Sequence, residues 1–137
     1  MARIIAIDLG TKRTGLAVTD PLRMLANPME TIETSGLLAY LKTYFAKEEV
    51  DTIVLGLPIR LNGKDNEMTP KVMEMKGKLE QEFPSKKIEL IDERFTSKMA
   101  MQSMISMGSK KKDRREKAGN LDKVSAAIIL QSYLERQ

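Results

Sequence analysis

Four consecutive apolar residues, Ile4-Ile5-Ala6-Ile7, lie between Arg3 and Asp8 near the start of the chain. A strand exposes alternate residues to opposite faces, so a run with no polar alternation must be covered on both sides. Arg3 to Leu9 is therefore read as the central strand of a sheet flanked by helices. This reading excludes a sheet with one wet face.

The segments that follow supply the rest of such a sheet. Gly10 to Thr14 turns the chain, Gly15 to Thr19 reads as the hairpin partner, and Glu30 to Glu33 as a third strand after a loop broken by Pro21 and Pro28. Leu37, Leu38, Leu41, Tyr44 and Phe45 recur at helical spacing, which predicts a helix capped by Ser35 and running to about Glu48. Thr52 to Leu57 is the fourth strand. Thr69 and Pro70 offer an N-cap and a first-turn proline to a helix whose Val72, Met75, Leu79 and Phe83 share a face. Ile88 to Ile91 is the fifth strand. A Met-rich helix is predicted from about Ser97 to Met107, with Met99, Met101, Met104 and Met107 filling core or interface gaps. Leu121 to Leu134 forms a last apolar helix with Asn120 as its cap. The order βββαβαβαα, without internal repeat, predicts one α/β domain over residues 1–137: a mixed five-stranded sheet flanked by helices, in the order of the ribonuclease H-like fold.

Composition narrows the chemistry. The chain has no histidine and no cysteine, so the commonest general base, thiolate chemistry, disulfides and the usual zinc ligands are all missing. Hydrolysis would have to use carboxylates, lysines, hydroxyls or a metal-bound water. No apolar run approaches the roughly 20 residues of a membrane-spanning helix, and the start shows no signal-peptide pattern, so a cytoplasmic protein without membrane contact is expected. The formal charge of +4 is concentrated: Lys110, Lys111, Lys112, Asp113, Arg114, Arg115, Glu116 and Lys117 carry six bases and two acids, which leaves the remainder neutral. A basic strip on a neutral body suits a polyanion or, equally, a solvated loop. Aromatic residues make up only 4%, so base stacking is not expected to dominate; Phe95, beside acidic residues, is the aromatic to watch.

Three acids stand where chemistry could be placed. Asp8 ends the apolar strand, where a carboxylate is costly unless paired or bound to a cation. Glu93 and its neighbours Asp92 and Arg94 end the fifth strand, and ligand sites in open α/β sheets gather at strand ends. Asp122 opens the last helix, where an acid also favours the helix dipole. Together the three could hold a hard cation, Mg²⁺ or Mn²⁺, through carboxylate oxygens alone. Gly10 to Gly15 has a GxxxxG spacing, but Leu16 and Ala17 occupy the Lys and Ser/Thr positions that a P-loop needs. The same loop is similar to the first phosphate loop of actin-like ATPases, which need two lobes where this chain has length for one.

The stretches IAIDLGTKRTGLAVTD at 5–20, VLGLPIRLNG at 54–63, DERFTS at 92–97 and LDKVSAAIILQSYL at 121–134, taken in order, resemble the YqgF (RuvX) family, relatives of the RuvC Holliday-junction resolvase. The resemblance implies a ribonuclease H-like fold, divalent-metal catalysis and maturation of the 5′ end of pre-16S ribosomal RNA. It places catalytic and metal-binding roles on Asp8, Glu93 and Asp122. Arg13 and Arg94 become phosphate-positioning residues; from their charge, Lys110, Lys111, Lys112, Arg114, Arg115 and Lys117 are the expected contacts to nucleic acid, and Gly10, Asp20, Asp92, Phe95 and Ser125 form a second tier. Compared with RuvC-type resolvases, the fourth strand ends in Gly56-Leu57-Pro58 without an acid, and Ser125 stands near Asp122 in place of a second aspartate. These departures count against a resolvase-like metal geometry. Structured RNA is thus the expected partner, with a DNA-junction resolvase and a non-catalytic RNA- or ribosome-binding factor as alternatives. The oligomeric state is left open, with a monomer as the working expectation.

Overall fold

The computed structural model describes residues 2–20, 22, 25–57, 68–92 and 118–135, with side chains of the last helix described from residue 125 onward. Five strands form one sheet: β1 (Arg3–Asp8), β2 (Arg13–Thr19), β3 (Ala26–Glu33), β4 (Val50–Leu57) and β5 (Lys87–Asp92). Their spatial order is β3-β2-β1-β4-β5. β1 pairs antiparallel with β2, and β2 antiparallel with β3, whereas β1, β4 and β5 run parallel. The helices are α1 (Leu37–Lys47), α2 (Thr69–Glu82) and α3 (Ala118–Glu135), with a 3₁₀ turn at Thr34–Gly36 before α1. The predicted mixed sheet is thus present, with β1 at its centre. The helix expected over Ser97 to Met107 lies outside the described residues.

The double-sided burial of β1 sorts its residues by parity. Ile5 and Ile7 join Leu16, Leu37, Leu41, Ile53, Leu55, Val72 and Leu79 in a core under α1 and α2. Ile4 and Ala6 join Ala17, Ala26, Val54, Ile91, Ala126, Ala127, Leu130 and Tyr133 in a second core under α3. Each fully buried Ile or Leu contributes about 1.5–3 kcal/mol relative to an exposed one, so both faces stabilise the sheet. The two cores differ in kind. Branched aliphatic residues fill the first, while alanines on β1, β2, β3 and α3 let α3 lie close against the sheet. At the rim of the first core, Phe45 of α1 meets Phe83 edge to face at 4.9 Å, and the Lys86 ammonium sits 4.8 Å from the Phe45 ring centre.

Element ends depart from the sequence reading: β2 starts at Arg13, within the expected turn, β4 starts at Val50, and β5 runs one residue further at each end. β3 begins at Ala26 and takes in Pro28, because it is an outer strand where one missing N–H can be spared. A bulge beside Leu16 and Ala17, which pair with Glu30 and Pro28, leaves Met29 as the extra residue. Ser35 does not cap α1: it lies within the 3₁₀ turn, and the N-cap position is Gly36, without a side-chain bond. Thr69 is already the first residue of α2, after Met68 at the N-cap, and Asn120 lies inside α3, whose backbone is helical from Ala118.

Candidate active site at the carboxyl ends of the parallel strands

Asp8 is the last residue of β1 and is half-buried. Strand alternation continues from Ile4 and Ala6, which are buried under α3, so Asp8 belongs to the α3 face. Its partner on β2 is Gly15, and one step past the Ile7–Leu55 pair, Gly56 comes level with it on β4. Both strands flanking Asp8 therefore carry no side chain beside it. Arg13, exposed at the start of β2, has the parity of Gly15 and Ala17 and so projects from the same face at the same end.

Between Asp8 and Arg13 the chain makes a turn that depends on Gly10, since a Cβ there would collide with the Arg13 carbonyl oxygen. Thr34 closes the turn from outside. Its backbone N–H donates to the Lys12 carbonyl at 2.9 Å, and its hydroxyl donates to the Gly10 carbonyl at 2.8 Å. The Thr14 hydroxyl lies 2.7 Å from that of Thr34. Thr34 has spent its one proton on Gly10, so Thr14 is the donor in this pair. Thr11 adds a contact to the start of α2 through the Met68 sulfur at 3.4 Å. The motif reading passed over Thr14 and Thr34. A signal was present: Thr14 shares the inward parity of Leu16, and a buried hydroxyl needs a partner.

Asp92 ends β5 opposite Leu57 and reaches the same end of the sheet as Asp8. Two strand spacings, roughly 10 Å, separate β1 from β5. Its parity is that of Ile88 and Leu90, which pack against the α1/α2 core, so Asp92 belongs to the opposite face. Asp20 is at the other end altogether. Its carboxylate accepts the Leu25 N–H at 2.9 Å, closing the loop between β2 and β3. The structure thus separates Asp20 and Asp92 from Asp8. Their local roles were not visible in sequence because parity and loop closure depend on where each strand begins.

One hydrogen bond anchors α3 against the start of the sheet. The Gln131 side chain accepts the Ala26 N–H at 3.4 Å, and Ala26 pairs with Thr19, whose hydroxyl accepts the Ile4 N–H at 2.9 Å. Gln131 is therefore level with the start of β1. A helix running back from Gln131 antiparallel to β1 would bring position 122, nine residues or roughly 14 Å away, about level with Asp8, four residues or roughly 13 Å along the strand. Position 122 precedes buried Ala126 by four residues and buried Ile129 by seven. Ser125, half-buried, lies one turn further on. Glu93, Arg94, Phe95 and the basic strip Lys110, Lys111, Lys112, Arg114, Arg115 and Lys117 lie outside the described residues.

The donor chemistry fits a hard divalent cation. Asp8 offers carboxylate oxygen at a strand end, and the sequence holds no imidazole or thiolate that would favour a softer metal. Among the described residues no group of three acids, histidines or cysteines is assembled, because two of the three expected acids are not among the described side chains.

Comparison with known proteins identifies the family and the fold. The RuvX family model, described as Holliday junction resolvase, matches residues 2–136. A Porphyromonas gingivalis protein named pre-16S rRNA nuclease is 49% identical, covering 98% of this chain and 97% of its own. Relatives of the same name from Christiangramia forsetii and Flavobacterium psychrophilum are 47% and 45% identical, covering 98% and 100% of this chain and 98% and 99% of their own. Among solved structures, Thermus thermophilus RuvC bound to a Holliday junction substrate superposes with a TM-score of 0.58 at 14% identity, over 99% of this chain and 96% of that one. The fowlpox virus resolvase bound to a Holliday junction gives 0.53 at 17%, over 98% and 99%. At such identities these two structures speak for the fold alone, and that fold is ribonuclease H-like.

Proposed function

The chain belongs to the RuvX family, and from that premise we propose a divalent-metal-dependent nuclease that cuts structured RNA, in 5′-end maturation of pre-16S ribosomal RNA. It is a phosphodiester-hydrolysing enzyme. One observation carries the site: Asp8 ends the central strand on the face that α3 covers, flanked by Gly15 and Gly56. Glu93, which the family resemblance assigns to the set, follows Asp92, whose strand parity belongs to the opposite face. Asp8, Glu93 and Asp122 would hold Mg²⁺ or Mn²⁺, which when bound supplies an activated water and charge neutralisation at the phosphate. Arg13, on the Asp8 face, orients a phosphate oxygen as a fixed cationic donor, and Arg94 is assigned the same task. Lys110, Lys111, Lys112, Arg114, Arg115 and Lys117 hold the polyanion through its backbone charge. A ribosomal RNA substrate implies the cytoplasm, and among the described residues no helix is long and apolar enough to cross a membrane.

A second reading, a Holliday-junction resolvase, is favoured by the family description and kept for that reason. One experiment separates the readings: a pre-16S leader RNA and a four-way DNA junction are each incubated with the protein in Mn²⁺, in Mg²⁺ and in EDTA. RNA cleavage that EDTA abolishes, with the junction intact, is expected. Junction cleavage with intact RNA would move the assignment to the resolvase. Binding of RNA without cleavage in either metal would make the chain a binding factor.

A further inference from the structure

Thr34 belongs to no motif of the site, yet it holds the Gly10–Arg13 turn from outside it. It comes from the junction of β3 and α1 and grips both halves of the turn, the Gly10 carbonyl through its hydroxyl and the Lys12 carbonyl through its N–H. The Thr14 hydroxyl, on a fully buried residue, donates into the same oxygen. Arg13 stands directly after Lys12 and pairs across the sheet with Glu33, the residue before Thr34. The backbone that carries Arg13 is therefore clamped on both sides of its Cα by one short segment.

We propose that Thr34 is a positioning residue for hydrolysis, setting the turn so that Arg13 meets a substrate phosphate beside Asp8; this rests on the nuclease reading. The physical ground is that the hydroxyl pair has no slack. Removing the Thr34 hydroxyl leaves the Gly10 carbonyl and the buried Thr14 hydroxyl without this partner, and the turn must shift to find others. Displacements of an ångström at a reacting centre cost up to about a hundredfold in rate.

Thr34→Val keeps the β-branched shape and the N–H to Lys12 while removing both hydroxyl bonds, and Thr34→Ser keeps the hydroxyl. On a structured RNA substrate with Mn²⁺, Thr34→Val should lower kcat/KM by about tenfold or more, and Thr34→Ser should retain most of it. In an Arg13→Ala background, Thr34→Val should cost less than about twofold further, because both act through one group. Hydrogen exchange of residues 9–14 should speed up in Thr34→Val alone. Thr43→Val, which removes a hydroxyl bonded to the Ala39 carbonyl at 3.2 Å on α1, is the remote control and should match the parent. An undiminished Thr34→Val effect in the Arg13→Ala background, or a Thr34→Ser variant as impaired as Thr34→Val, would overturn the proposal. If Thr34→Val fails to fold, Thr14→Val removes one arm of the pair and carries the same cycle. A parent chain that binds RNA without cutting it counts against the nuclease reading alone. The variants then decide through affinity and exchange: faster exchange with Arg13-dependent weakening supports the positioning role, and unchanged exchange defeats it.

Discussion

Replacing Asp8 with Asn separates charge from shape at the end of β1. The amide keeps the size of the side chain and a carbonyl oxygen but loses the negative charge that would hold a cation. Asp8→Asn should therefore fold as the parent does, with the same circular dichroism and an equal or higher thermal midpoint. Its RNA cleavage should fall at least about a hundredfold, the low end of what one group at a reaction centre contributes. Parental cleavage by the folded variant would end the assignment. Asp8 could be singled out from sequence because it interrupts an apolar run at a Gly turn, a position with few inexpensive uses for a carboxylate. Thr34 could not, since its importance lies in contacts with residues 20 or more positions away, which no local pattern encodes. Asp20 and Asp92 look equally eligible in the sequence. Only the loop bond of Asp20 and the parity of Asp92 set them apart from Asp8.

At the scale of elements, α1 is tied to β3 through Tyr40, whose hydroxyl donates to the Glu30 carboxylate at 2.6 Å. Burial, and then this bond and the Glu30 charge, push the Tyr40 hydroxyl pKa well above its ordinary value of 10.0. Tyr44, stacked on Tyr40 at 6.5 Å, is also raised, chiefly by burial. Both groups hold their protons longer folded than unfolded. Their contribution is thus fully present below about pH 10 and is lost as pH rises beyond it, because the unfolded chain ionises first. The urea midpoint should fall as pH rises above about 10. Tyr40→Phe should cost about 0.5–1 kcal/mol at neutral pH and flatten that alkaline decline. A decline of unchanged steepness would show that Tyr40 does not drive it. Most elements here were readable because hydrophobic period survives in sequence: Leu37 and Leu41 of α1, and Val72 and Leu79 of α2, are all buried as their spacing requires. Ends were less readable. Ser35 and Asn120 have good capping chemistry, but the N-cap of α1 is Gly36 and α3 is already helical from Ala118.

For the molecule as a whole, the sheet order follows from element order and crossover rules, whereas the place where α3 is anchored on the sheet needed the Gln131 contact with Ala26. Substrate binding belongs at this scale, since the net charge of the chain resides in residues 110–117. Neutralising Lys110, Lys111 and Lys112 together should weaken RNA binding. The slope of log affinity against log salt should become shallower by up to about 2 units, taking roughly 0.7 per phosphate contact on a single strand. Rate at saturating RNA should change less than affinity. Unchanged affinity and slope, measured from low to moderate salt, would make the strip a solvated loop.

The outer strand β3 has a further effect on how copies of this chain behave when crowded together. Its bulge at Met29 breaks the outward row of amides into two short runs, and Pro28 supplies no donor to either. At the other margin, β5 is only six residues long and presents the Lys87–Glu89 pair at 3.1 Å. A neighbouring chain seeking to extend the ladder meets an irregular template on one side and a short charged one on the other. Among the described residues, both margins of this apolar sheet are therefore poor templates for edge-to-edge growth.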